Sequence, residues 1–399
     1  MSRIGSPQPS VRRTKLWMLR MFTSLPAFPT RPPTRMATPP SPKPRRPVPG
    51  PPAGRRTKFA RLFVVLATAE LTLQIAQPQV ASQKLPAKLD QYLSTVVRPT
   101  RAERNRLLAG KPIAKLLDAD PKSEVAVFGG IWINAPIPRY VEALKGIENF
   151  ERGKGFRVTK RISAVPTIED FAAMRLPAND VESLRTCRVG DCEVKLSADG
   201  LRRFQTEIDW SAPNRHDAAN AILRQLALEY VTRYLEGGDE RLAVYRDSSR
   251  PTFVAKEFRL MVDQMPELTT FMPNLREYLL GFPQVRPPDV TTFLYWQDVQ
   301  FGLKPTLRIS HLSIRQGPED TVVASKMLYA SHYFWTALEL RALVPDPSRG
   351  QGFWFFTVSR SRSDGLSGFV GRLVRGRVRN GARDGALAAL AATKSKLEH

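Results

Sequence analysis

Lys326 and His332 stand on an otherwise apolar face of the aromatic-rich stretch between Val322 and Val344. Alternate residues of a strand share a face, so Ala324, Lys326, Leu328, Ala330, His332, Phe334, Leu338 and Leu340 fall together. Ser325, Met327, Tyr329, Ser331, Tyr333 and Trp335 fall on the other side. A buried cation is costly unless it meets a carboxylate, a ligand head group or water. Lys326 and His332 therefore admit two readings. In one they present donors at the mouth of an apolar cavity, suited to a lipid phosphate or carboxylate. In the other the strand leaves the core early, Lys326 reaches water along its stem, and His332 bonds a backbone carbonyl.

Further along, Arg360, Arg362 and Asp364 stand where a strand gives way to the last helix. Asp364 or Ser363 is expected to cap that helix, and the arginines are candidates for an anionic group. Trp296, Phe301, Trp335, Trp354 and Phe356 either line a cavity or pack as core. The candidate ligand-binding set is Lys326, His332, Arg360, Arg362, Trp296, Tyr329, Phe334 and Trp335.

Catalytic patterns are weak. Gly365-Leu-Ser-Gly368 lacks the second spacing of a nucleophile elbow, and a triad of Ser325, His332 and Asp364 has nothing in the spacing to support it. There is no zinc-protease helix, phosphate loop or dinucleotide fingerprint. No catalytic residue, cofactor or metal site is expected. Cys187 and Cys192, in Cys-Arg-Val-Gly-Asp-Cys, suit a small loop disulfide in an oxidising compartment, with free thiols as the alternative. A metal is disfavoured, because no histidine lies at ligand spacing.

These groups must be held by elements that the residue pattern suggests. Residues 84–120 read as peripheral helices, one beginning after Thr100 and ending at Gly110. Glu124–Asn134 is β-branched and aromatic, hence a strand. Prolines in Asn134–Pro138 open a helix over Arg139–Phe150, and Gly155–Ser163 gives a second strand. Helices follow over His216–Leu235, 254–265 and 268–280, and three prolines between Pro283 and Pro288 break the chain. Strands resume from 291. The apolar positions of Thr306–Ile314 change parity near His311, which suggests a bulge. Val322–Val344 forms one curved strand or two joined near Ser331, and Gly352–Arg360 another. A C-terminal helix carries Arg372, Arg375, Arg379 and Arg383 on its outer face.

The chain has a net charge of +24, but residues 1–58 hold 13 Lys/Arg, no acid and 14 of the 34 prolines. Such a segment cannot bury enough surface to order itself. Residues 1–58 are thus read as a disordered leader. Arg55, Arg56 and Lys58 precede a short apolar run from Phe59, followed by small residues, which together describe a signal peptide over 59–82. Cleavage near Ser82 leaves 47 Lys/Arg against 36 Asp/Glu, a net +11. With export, that excess suits an anionic membrane surface or envelope polymer better than nucleic acid.

Val125-Ala-Val-Phe-Gly-Gly-Ile-Trp-Ile-Asn-Ala-Pro136, Tyr140-Val-Glu-Ala-Leu144, and the strand block 303–360 closing on helix 366–396 resemble the START-like (helix-grip) ligand-binding superfamily. The resemblance implies an α+β fold in which a curved antiparallel sheet grips the long C-terminal helix around a cavity for an apolar ligand. It covers roughly 120–163 and 290–396 of a domain read as 121–396, and departs from the pattern in a large helical insertion at about 165–285. Cys192–Leu196, Ala324–Phe334 and Ser359–Gly365 also look like segments of an uncharacterised bacterial envelope protein family. The expectation is an exported periplasmic or envelope protein that binds a hydrophobic or lipid-like small molecule. An enzyme of cyclase or hydrolase type using His332 as base, and a structural protein with a filled core, are the alternatives.

Overall fold

In the computed structural model, the structure describes residues 85–153, 155–301, 304–366 and 368–399. The leader and signal segment lie outside these residues.

Short helices open the described chain: α1 (Ala87–Tyr92), a π turn (Leu93–Val97) and α2 (Arg101–Leu108). Thr100 caps α2 in a reciprocal box, its Oγ1 accepting from the Glu103 amide while the Glu103 carboxylate accepts from the Thr100 amide. A strand, β1 (Ile113–Leu116), then appears where helix was expected. β2 (Glu124–Ile133) is buried along its whole length, as a β-branched and aromatic run covered on both faces must be. α3 (Ile137–Lys145) and α4 (Ile147–Phe150) lead to β3 (Phe156–Arg161).

The insertion comprises α5 (Ala178–Leu184), α6 (Ala198–Thr206), α7 (Arg215–Gly237), the hairpin β4 (Val244–Tyr245) and β5 (Thr252–Phe253), α8 (Val254–Asp263) and α9 (Pro273–Gly281). α7 stops at Gly238, whose φ is +57° and where a Cβ would collide with the Phe282 carbonyl. Long antiparallel strands follow: β6 (Val290–Phe301), β7 (Lys304–Gln316), β8 (Thr321–Ala330), β9 (Phe334–Pro345) and β10 (Phe353–Ser363). α10 (Gly368–Glu398) ends the chain.

The main sheet is a curved, open array of eight antiparallel strands in the order β1-β2-β10-β9-β8-β7-β6-β3. With the C-terminal helix and the helical insertion this is the expected α+β fold. Each face of the sheet has its own cover. Ile131, Ile133, Phe353, Phe355, Leu343 and Leu312 pack with Tyr140, Val141, Leu144 and Ile147 of α3 and α4 and with Leu390 and Leu397 of α10. On the opposite face Phe128, Trp354, Phe356, Leu340 and Leu328 belong to one large cluster with the insertion and the opening helices. These are called the α10 face and the α7 face below.

The parity change in β7 has a simple cause: the two faces are apolar at opposite ends. Leu307 and Ile309 serve the α7 face, and Leu312 and Ile314 the α10 face. A bulge is present too, between Ile309 and Ser310, whose partners on β8 jump from Tyr329 to Met327, so the extra residue is Leu328.

Candidate functional site

Lys326 lies on the α7 face, 1% exposed. Its Nζ is bound by the Asp239 carboxylate, donates to the Leu279 carbonyl at 2.9 Å, and stands 4.1 Å above the Phe258 ring. Burial pushes the Lys326 ammonium down and the Asp239 carboxyl up, against the mutual attraction of the pair. His332 sits in the turn after β8, its Nε2 2.7 Å from Asp180 Oδ2 and its Nδ1 3.1 Å from the Glu193 carbonyl. Lys304 joins the same carboxylate at 3.0 Å. Burial works to raise the Asp180 carboxyl, but His332 and Lys304 outweigh it and hold it below its ordinary value.

Arg360 and Arg362 converge on Glu124, whose side chain is fully buried, at 2.8 and 3.3 Å; Arg362 also bonds Glu257 at 2.8 Å. The Trp335 ring is 5.9 Å from the Arg362 guanidinium. Trp296 is fully buried and donates to the Asp170 carbonyl. Tyr329 donates to the Lys195 carbonyl and lies between the rings of Tyr230 and Tyr245. Phe334 is half-buried beside Tyr333. The structure therefore joins Arg360, Arg362 and Trp335 in one cluster and leaves Lys326, His332 and Trp296 in others. The cations expected to meet a ligand meet carboxylates of the protein.

Asp364 does not cap the last helix as expected. It lies four residues before Gly368 and binds the buried Lys195 at 2.7 Å, which Asp247 also meets at 3.0 Å. Cys187 and Cys192 are joined in a disulfide just before this segment.

The α10 face is different. Cross-strand register sets Val127, Ser359, Glu339, Ser325 and Leu312 in one row across β2, β10, β9, β8 and β7. The next row runs Gly129, Thr357, Arg341, Val323 and Ile314, and on the other side lie Ser361, Ala337, Met327, Ser310 and Tyr295. One end of the face is packed with apolar side chains, whereas this middle stretch is polar.

It is also uncovered in part. β9 and β10 are interior strands, yet Ser359 is exposed, Thr357, Ser361 and Ala337 are half-buried, and the Glu339 side chain is 38% exposed. Beside them on β8, β7 and β6, Ser325, Met327, Ser310 and Tyr295 are buried. α10 lies toward the β1–β2 side, where Ala382 and Ala386 pack on Val125, Val127 and Leu366.

Two hydrogen-bonded sets fix this floor. Arg341 grips Glu339 through Nε and Nη2 at 2.9 and 3.3 Å, and also reaches Glu151 at 3.1 Å and the Tyr140 hydroxyl at 3.2 Å. Burial alone would raise the Glu339 carboxyl, but Arg341 and the charge of Arg308 hold it below its usual range. Burial pushes the Tyr140 phenol up to about 12. Separately, Arg308 Nε donates to Gln297 Oε1 at 2.8 Å, and Gln297 Nε2 donates to Thr159 Oγ1 at 3.1 Å. Tyr295 and Ser325 share a hydrogen bond of 2.8 Å.

Sequence reasoning passed over Arg308, Glu339 and Arg341. Their signal is the same alternation that singled out Lys326: polar residues at every second position of apolar strands, in Arg308-Ile-Ser310 and Glu339-Leu-Arg341.

Compared with known proteins, the chain matches no family model, no curated protein and no solved structure.

Proposed function

We propose that this protein is an exported, START-like binding protein that holds an amphipathic small molecule against the middle of the α10 face. The observation that carries the reading is the uncovered polar stretch on two interior strands, adjoining a packed apolar end of the same face. Ordinary sheet interiors bury such positions; a site that takes a ligand combines apolar walls with a few placed polar groups.

The strand order supports the START-like reading. Taken without β1, it runs β2-β10-β9-β8-β7-β6-β3, with the first strand beside the last, helices linking the first two strands, and the terminal helix returning onto the first. Leu390 of α10 lies over Gly129 of β2. The disulfide suits an oxidising compartment, and hence a periplasmic or envelope location. Of the apolar or amphipathic ligand expected from the sequence, the polar floor favours the amphipathic one.

An enzyme with His332 as general base loses its support, because both ring nitrogens are already engaged by Asp180 and Glu193.

The test is to fill the stretch. Ser359→Trp places a large ring where the floor is open, and binding is followed with a dansyl-labelled undecanoic acid. The reading expects probe binding to the wild type and its loss in the variant, with unfolding temperature unchanged. Equal binding by both proteins would place the site elsewhere.

A further inference from the structure

Resting on that reading, we infer that Arg308 is the head-group donor of the site and that the ligand is an acidic amphiphile, carrying a carboxylate or a phosphate.

Two arginines belong to this side of the sheet: Arg341 in the middle stretch itself, and Arg308 at its β7 edge, two residues beyond Ser310. Arg341 is spent: its side chain is 10% exposed and its nitrogens meet Glu339, Glu151 and Tyr140. Arg308 is half-buried and has no carboxylate partner among the described residues. Only its Nε is hydrogen-bonded, to Gln297, which leaves the two terminal nitrogens of the fork for a further acceptor.

Arg308 is also pre-aimed. Gln297 is fully buried and is itself held by Thr159, so the chain Thr159, Gln297, Arg308 fixes the guanidinium from β3 through β6 to β7. The Phe156 ring lies 5.6 Å from it and limits its swing. A guanidinium fixed through Nε presents a planar pair of donors, the geometry that carboxylate and phosphate oxygens match.

Glu339 makes its ion pair with Arg341 and feels the charge of Arg308 without forming a salt bridge to it among the described residues. Thr357, Ser359 and Ser361 make no side-chain hydrogen bond within the described protein, and their hydroxyls adjoin the same stretch. The ligand's chain would run toward the packed end of the face, where Phe353, Phe355 and Leu343 lie.

The experiment titrates the full protein by calorimetry with decanoate, decyl phosphate, decanol and inorganic phosphate. The wild type is expected to bind both acidic amphiphiles about tenfold or more tighter than decanol, the size of one charge-assisted hydrogen bond. Arg308→Gln should erase that preference while decanol affinity stays as it was, and Arg308→Lys should keep part of it. Gln297→Met, which frees the guanidinium, should weaken the preference without abolishing it.

Equal wild-type affinity for decanol and decanoate overturns the inference while leaving the binding reading intact, and so does a preference that survives Arg308→Gln. Inorganic phosphate binding as tightly as decyl phosphate would make the ligand a free anion, against the amphiphile. Binding of none of the four would count against the inference and the reading together.

Discussion

Gly129 of β2 lies directly under Leu390 of α10. A Cβ on that glycine would come within 3.1 Å of Leu390 Cδ1 and 2.7 Å of Thr357 Oγ1. The terminal helix is seated on the first long strand by the absence of a side chain, and the seat adjoins the polar stretch through Thr357.

Gly129→Ala should therefore destabilise the protein by about 1–3 kcal/mol, the ordinary cost of overpacking a filled site. Urea unfolding measures it. Adding Leu390→Ala should recover part of the loss, because the two changes share one contact. Strict additivity would mean that the helix does not rest there.

Lys326 and Asp239 form a buried ion pair, with side chains 1% and 13% exposed. Breaking one partner leaves the other charge stranded, so Lys326→Met or Asp239→Leu should each cost about 3–5 kcal/mol. The double variant should lie close to the wild type, since an apolar pair of similar volume replaces the ion pair. Denaturation midpoints of the three variants check this. A Lys326→Met protein as stable as the wild type would show that the pair does not bear on folding.

His311 gives the pH dependence its sign. It is buried, accepts from the Tyr234 hydroxyl at Nδ1, and meets Thr292 Oγ1 at Nε2, while the Thr292 hydroxyl itself donates to the Leu312 carbonyl. That geometry wants a neutral ring protonated at Nε2. Burial, with Lys326 and Arg286 nearby, brings its pKa down to about 3. The unfolded chain binds a proton near pH 6.5 that the folded one refuses. Stability from this group is thus full above pH 6.5 and falls by roughly 1.4 kcal/mol per pH unit down to about pH 3. His311→Gln should flatten the stability profile in that window. An unchanged profile would assign the acid sensitivity to other groups.

Much of the architecture could be read from residue pattern alone, because it rests on local chemistry. Thr100 capped its helix, Gly238 ended another, and β-branched runs made the strands. β1 escaped because four residues at a sheet edge, Ile113–Leu116, show no full period. The need for partners was legible at Lys326 and His332, but not the partners themselves. Asp239 lies 87 residues from Lys326 and Asp180 lies 152 from His332, each on the insertion. No alternation rule says which face an insertion covers. Arg308 and Glu339 stayed hidden for the converse reason: polar residues at alternate positions look like an ordinary solvated face until the sheet's neighbours show that the strands are interior.

On this reading the α10 face holds an amphipathic molecule. Native mass spectrometry of the protein purified from its own host, followed by solvent extraction, tests it most directly. One discrete added mass is expected, extracting as a single class of acidic amphiphile and lost in Ser359→Trp. A bare protein that also refuses a panel of fatty acids and lysophospholipids would contradict it and leave a sheet whose open stretch serves no ligand.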